Sequence, residues 1–149
     1  MIRIHGTAVA LGDDGILLQG PSGSGKSDLA LRLIDGGAHL VSDDQTEITV
    51  RQGELRLSAP PAIAGRLEVR GLGILSVPSV PSAELRLVVT LVAPEQVERL
   101  PEPQFRAFLG CRVPLLALVP FEASAPAKLR LALAALRAGA AAGPSFAAS

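Results

Sequence analysis

The spacing of apolar residues along this chain switches between a strand-like and a helical pattern, and the switches mark out its elements. IHGTAVAL at 4–11 is a short apolar run, followed by a Gly-Asp-Asp-Gly turn signal at 12–15 and a second run, ILLQG, at 16–20. Two such runs about a short turn predict an antiparallel hairpin. From Ser27 the apolar positions Leu29, Ala30, Leu33 and Ile34 take helical spacing, and Gly36-Gly37 closes the helix. AHLVSDD at 38–44 reads as the next strand. TEITVRQGELRLSAP alternates apolar and polar residues around Gln52-Gly53, the pattern of a hairpin.

Further along, IAGRLEVRGLGILSV at 63–77 is extended and punctuated by glycine, and the prolines of VPSVPS exclude a regular helix. ELRLVVTLVA at 84–93 is a buried strand, 93–110 reads as loop with a short helix, and VPLLALVPF at 113–121 as a late strand. PAKLRLALAALRA at 126–138 predicts a terminal helix with proline in its first turn. The small residues at 139–149 predict a disordered tail. A regular doubly wound fold alternates strands and helices throughout. This order predicts instead one α/β domain over 1–138, with a strand-rich mixed sheet and few helices.

Composition narrows the function. Lys plus Arg and Asp plus Glu each number 14, so the net charge is zero and no basic face for nucleic acid or an anionic membrane is expected. Aromatic residues make up 3%, without Trp or Tyr, which argues against stacking platforms for single-stranded nucleic acid. Cys111 is alone, so no internal disulfide or cysteine metal cage forms. The N-terminus lacks the features of a signal peptide and no apolar run spans a bilayer, so a cytoplasmic protein is expected.

The chemistry concentrates in GPSGSGKS at 20–27, a complete G-x-x-x-x-G-K-[ST] pattern between a predicted strand and a predicted helix. Small residues let the backbone N–H groups of Gly20, Ser22, Gly23, Ser24 and Gly25 wrap an anion, with Pro21 shaping the loop, and the helix adds its positive end. Lys26 would meet the outer phosphates of ATP and the Ser27 hydroxyl would ligate Mg2+. Such a site hydrolyses a nucleotide, or passes a phosphoryl group to a small molecule or to a protein. It also needs an acid for the metal and a base for the acceptor. LVSDD supplies Asp43 and Asp44 at a strand end. Adjacent residues on a strand point to opposite faces, so the two are expected to divide their roles.

GPSGSGKSDLALRLIDGGAHLVSDDQTEI resembles the P-loop and following strand of bacterial HPr kinase/phosphorylase. IHGTAVAL resembles the histidine-glycine strand of that family, and LEVRGLGIL at 67–75 its E-[IL]-R-G-[IL]-G-I signature. The resemblance covers 4–77 and corresponds to the catalytic domain of longer family members. It implies a phosphoenolpyruvate-carboxykinase-like P-loop fold and a kinase acting on a serine of the phosphocarrier HPr, or of a nitrogen-branch relative. It also implies removal of that phosphate by inorganic phosphate, and a homo-oligomer, typically a hexamer. Carried over by position, Lys26 and Ser27 are the P-loop lysine and the magnesium-ligating serine. Asp44 is the catalytic aspartate, Asp43 sits close to the metal, and Glu68 is a second magnesium ligand. His5 lies near the transferred phosphoryl group, Arg70, Gly71 and Gly73 belong to the signature loop, and Arg99 takes the place of an arginine in a Y-x-R-L-G stretch.

The chain departs from the family in two places. Ser76 stands where the signature continues with aspartate, ahead of a shortened loop, SVPSVPSAEL. PFEASAPAK at 120–128 stands where the family has P-V-R-P-G-R, a stretch that serves dephosphorylation. Kinase activity is therefore expected ahead of phosphorolysis. The alternatives are a P-loop kinase for a small molecule and a nucleotide-sensing regulatory module.

Overall fold

The computed structural model describes residues 1–139; the tail expected at 139–149 lies outside the described residues from 140 onward. Eleven strands and two α-helices are built from them. The first part of the chain runs β1 (Ile2–His5), β2 (Thr7–Leu11), β3 (Asp14–Gln19), α1 (Lys26–Asp35), β4 (His39–Ser42), β5 (Gln45–Arg51) and β6 (Glu54–Ser58). The second runs β7 (Arg66–Val69), β8 (Gly73–Ser76), β9 (Ser82–Leu91), β10 (Gln104–Phe108), β11 (Cys111–Leu118) and α2 (Ala125–Arg137). A mixed sheet of nine strands carries the fold, and β7–β8 form a separate hairpin. The expected strand-rich sheet with two helices is what the chain forms.

The long strand β9 is the axis. β3 pairs with it in parallel along one flank. Its other flank is shared, by β6 in antiparallel at Ser82–Glu84 and by β11 in parallel at Val88–Leu91. β2 is antiparallel to both β3 and β4, so β3, β4, β9 and β11 all run in one direction. Their carboxyl ends meet at one edge, which is where open α/β sheets place their ligands.

Side chains alternate between two cores. Ile16, Leu18, Leu87 and Val89 pack with Leu29 and Leu33 of α1 and Leu129 and Leu133 of α2. Leu17, Ile48, Leu57, Leu85 and Val88 fill the opposite face. Leu85 and Leu87 would share a face in a regular strand, yet they lie in different cores. The register explains it: Gly15 pairs with Leu85 and Ile16 with Leu87, so Arg86 is an extra residue and the facing inverts there.

Two expectations are corrected. IHGTAVAL is not one strand. The chain divides at Gly6, so that β1 pairs with β5 while β2 pairs with β3 and β4. A Cβ at Gly6 would stand 3.0 Å from the Leu18 carbonyl oxygen, so the crossing needs glycine. Within 93–110 there is a short 3-10 turn at Pro94–Gln96, but Gln104–Phe108 is a strand rather than loop. It forms because β11 offers it an antiparallel partner.

Candidate active site

The glycine-rich loop joins the end of β3 to α1, at the edge where the parallel strands finish. Gly25 caps the helix with φ +98°, a left-handed conformation that costs glycine little. A Cβ there would also sit 2.9 Å from the Phe121 ring. Ser24 N–H donates to the Pro21 carbonyl at 3.0 Å and tightens the loop. Lys26, in the first turn, is buried, and its Nζ donates to the carbonyls of Gly20 (2.7 Å) and Pro21 (3.1 Å). Burial pushes the Lys26 ammonium below its ordinary value of 10.5, while the nearby Asp44 and Asp43 carboxylates pull it back up.

Asp43 and Asp44 follow β4 and divide sharply. Asp43 is buried. Its Oδ1 accepts from Ser27 Oγ at 2.8 Å and from Thr7 Oγ1 at 3.1 Å, and its Oδ2 accepts from the Glu68 backbone N–H at 3.0 Å. Asp44 turns the other way. Its φ is +67°, a conformation that Asp tolerates better than most residues, and its side chain is 63% exposed. Asp44 Oδ1 lies 2.8 Å from His5 Nε2. Thr7 builds the division: its hydroxyl accepts from the Asp44 N–H at 3.1 Å while donating to Asp43. Gly6 N–H donates to the Asp44 carbonyl at 2.8 Å and closes the turn from the other side.

The structure therefore brings together Gly20–Ser27, Asp43, Asp44 and His5, and the Glu68 backbone. The Glu68 side chain is exposed on β7, and among the described residues no group of three or more His, Cys, Asp or Glu gathers as a metal cage. The donors that do adjoin, Ser27 Oγ and Asp43, are hard oxygens, which suit magnesium. This metal keeps several waters and takes further ligands from phosphate. Arg99 is exposed on the loop after the 3-10 turn and is hydrogen-bonded to none of the other candidates.

Thr7 and Arg106 are additions that the sequence reading missed. Arg106 of β10 donates to the side chain of Gln19, the residue before Gly20. The sequence around it reads as loop, which hides its place on a strand. Thr7 has a sequence signal, as the residue after His5-Gly6, but its partners are 36 and 37 positions away.

The lowered Lys26 pKa yields a pH prediction. Between that pKa and 10.5 the unfolded chain holds more of the proton, so Lys26 adds stability to the free protein as pH rises through this window. Phosphate bound at Lys26 would work the other way, because it would favour the ammonium form. Triphosphate affinity should fall across the same window, and binding there should take up a proton. Calorimetry in buffers of different ionisation enthalpy checks this; binding without proton uptake at alkaline pH refutes the role of Lys26.

The sequence profile described as HPr Serine kinase C-terminal domain matches residues 1–129. HPr kinase/phosphorylase of Clostridium tetani is 51% identical over 77 residues, covering 52% of this chain and 25% of that protein. The Bordetella petrii HPr kinase/phosphorylase is 38% identical over 109 residues, covering 66% of this chain and 35% of that protein. The chain thus matches between a quarter and about a third of the length of these relatives. The solved Hpr(Ser) kinase/phosphatase from Coxiella burnetii superposes with a TM-score of 0.83 at 26% identity, over 93% of this chain and 92% of that one.

Proposed function

The chain belongs to the HPr serine kinase C-terminal domain family, and from that premise we propose that it is a protein-serine kinase, passing a phosphoryl group from ATP to a serine of an HPr-type phosphocarrier. The carrying observation is the arrangement at one sheet edge. Asp43 is bonded to Ser27 at the foot of the glycine-rich loop, and Asp44 is exposed beside it and paired with His5. One carboxylate faces the phosphate side and one faces solvent, where a protein hydroxyl arrives.

The chain's residues divide the work. Backbone N–H groups of the loop and the Lys26 ammonium hold and neutralise the donor phosphates. Ser27 and Asp43 would hold magnesium, with the Glu68 carboxylate as the further ligand that the family resemblance implies. Magnesium, when bound, supplies further charge neutralisation at the phosphates. Asp44 takes the proton from the acceptor serine as its oxygen attacks, and His5 keeps the carboxylate oriented. In reverse Asp44 returns the proton. The stretch 120–128 has no arginine, which supports the forward direction. Arg99 is given no step. The proposal includes the phosphoenolpyruvate-carboxykinase-like type of P-loop fold, one kinase domain over 1–138, a homo-oligomer and a cytoplasmic setting. Among the described residues no helix is long and apolar enough to cross a membrane.

The test is phosphotransfer. Incubation with ATP, magnesium and HPr-type carriers should place a phosphate on a carrier serine, located by mass spectrometry. Nucleotide binding without transfer to any carrier would overturn the kinase and favour a sensor.

A further inference from the structure

We infer that Phe121 is the platform on which the base of the bound nucleotide stacks, an assignment that rests on the nucleotide-dependent reading above. The chain has four Phe and no Trp or Tyr, so a flat exposed ring beside the candidate site is a scarce feature. Phe121 is 68% exposed, on the turn between β11 and α2. Its ring lies against the backbone of Gly25, the residue before the P-loop lysine. The carboxyl end of β11 delivers this turn to the same edge as the glycine-rich loop.

The backbone on both sides of the ring is held. Arg32 of α1 donates from Nη2 to the carbonyl of Pro120 and from Nη1 to that of Glu122 at 3.2 Å. Asp28 fixes Arg32 in turn, at 3.0 Å. The backbone on each side of Phe121 is therefore tied to the helix whose first turn carries Lys26 and Ser27. A pinned backbone fixes where the ring is presented, and so lowers the ordering cost of a stacking contact. Glu122 is neutralised by Lys128 at 3.0 Å, so the turn does not set an unpaired carboxylate against an anionic ligand. A nucleotide with its phosphates on the Gly25–Ser27 backbone extends its ribose and base away from the loop, and Phe121 flanks that loop. Stacking is tolerant of base identity, so adenine and guanine should both use the ring.

The experiment compares Mg-ATP, Mg-GTP and inorganic tripolyphosphate by calorimetry. Phe121→Ala should weaken ATP and GTP by about ten-fold, the scale of one base–aromatic stack, and leave tripolyphosphate unchanged. Phe121→Trp should restore affinity. Because the chain has no other Trp, its fluorescence should respond to ATP and not to tripolyphosphate. Wild-type ATP affinity in Phe121→Ala would overturn the assignment. So would equal loss of ATP and tripolyphosphate, which marks a loop-shaping role, or a defect confined to the carrier's KM, which marks a contact with the acceptor. Wild-type protein that binds tripolyphosphate as tightly as ATP overturns the assignment alone. Wild-type protein that binds neither overturns the nucleotide site with it.

Discussion

Asp44→Asn should lower phosphotransfer by about 10²–10⁴-fold, the usual contribution of a positioned general base, while nucleotide affinity stays close to wild type. The substitution is clean for physical reasons. Asp44 sits at φ +67°, and Asn shares with Asp a tolerance of this conformation that most side chains lack. The amide oxygen can still meet His5 Nε2, given the right tautomer, and the backbone bonds to Thr7 and Gly6 do not involve the side chain. The shape is kept, while the carboxylate's charge, felt by Lys26, and its capacity to take a proton are lost. Single-turnover transfer and nucleotide titration, run side by side, separate the outcomes. Unchanged transfer would remove Asp44 from the chemistry, and a sensor would show no effect of the change at all.

Asp43 offers no such clean test. Its two oxygens accept from Thr7, Ser27 and the Glu68 backbone, all within a buried setting. Removing the carboxylate would orphan those donors, at about 1–3 kcal/mol for each group left unsatisfied. A loss of activity in that variant would mix fold with function.

What the sequence made legible follows the range of the forces involved. The loop and α1 were readable because their demands are local: small residues to wrap an anion, then helical apolar spacing at Leu29, Leu33 and Ile34. The neighbouring acids do follow a strand end and do part company, although β4 stops at Ser42 and alternation along it does not reach them. The cause was not legible. The separation comes from a left-handed residue at Asp44, fixed by a threonine hydroxyl from a strand far earlier in the chain. The division at Gly6 was equally hidden, because it is decided by which partners β1 and β2 find. Gln104–Phe108 alternates over only four residues before Phe108 breaks the pattern, and it follows prolines 101 and 103. Its strand character is lent by β11, and with it went the position of Arg106. Arg99, which resemblance in position alone suggests, stands on an exposed loop with no hydrogen bond to the other candidates.

Lys26→Ala should abolish measurable transfer, a loss of at least about 10²–10³-fold, the scale of removing one preorganised charge stabiliser. It should also weaken triphosphate binding, unlike Asp44→Asn. The folded state should feel it far less. The ammonium donates to the Gly20 and Pro21 carbonyls, and losing those bonds costs stability. Against this, Lys26 is buried and its charged form is disfavoured there, as the lowered pKa records, so truncation relieves a penalty. The two effects oppose each other, and the midpoint of thermal unfolding should move by only a few degrees, corresponding to about 1 kcal/mol or less. Tripolyphosphate is the sharper probe, since it has no base. Wild type should bind it and Lys26→Ala should not. A variant that unfolds at wild-type temperature, binds no tripolyphosphate and transfers nothing would place the function of Lys26 on the phosphates. Retained turnover in Lys26→Ala would mean that the glycine-rich loop holds something other than the reacting phosphate.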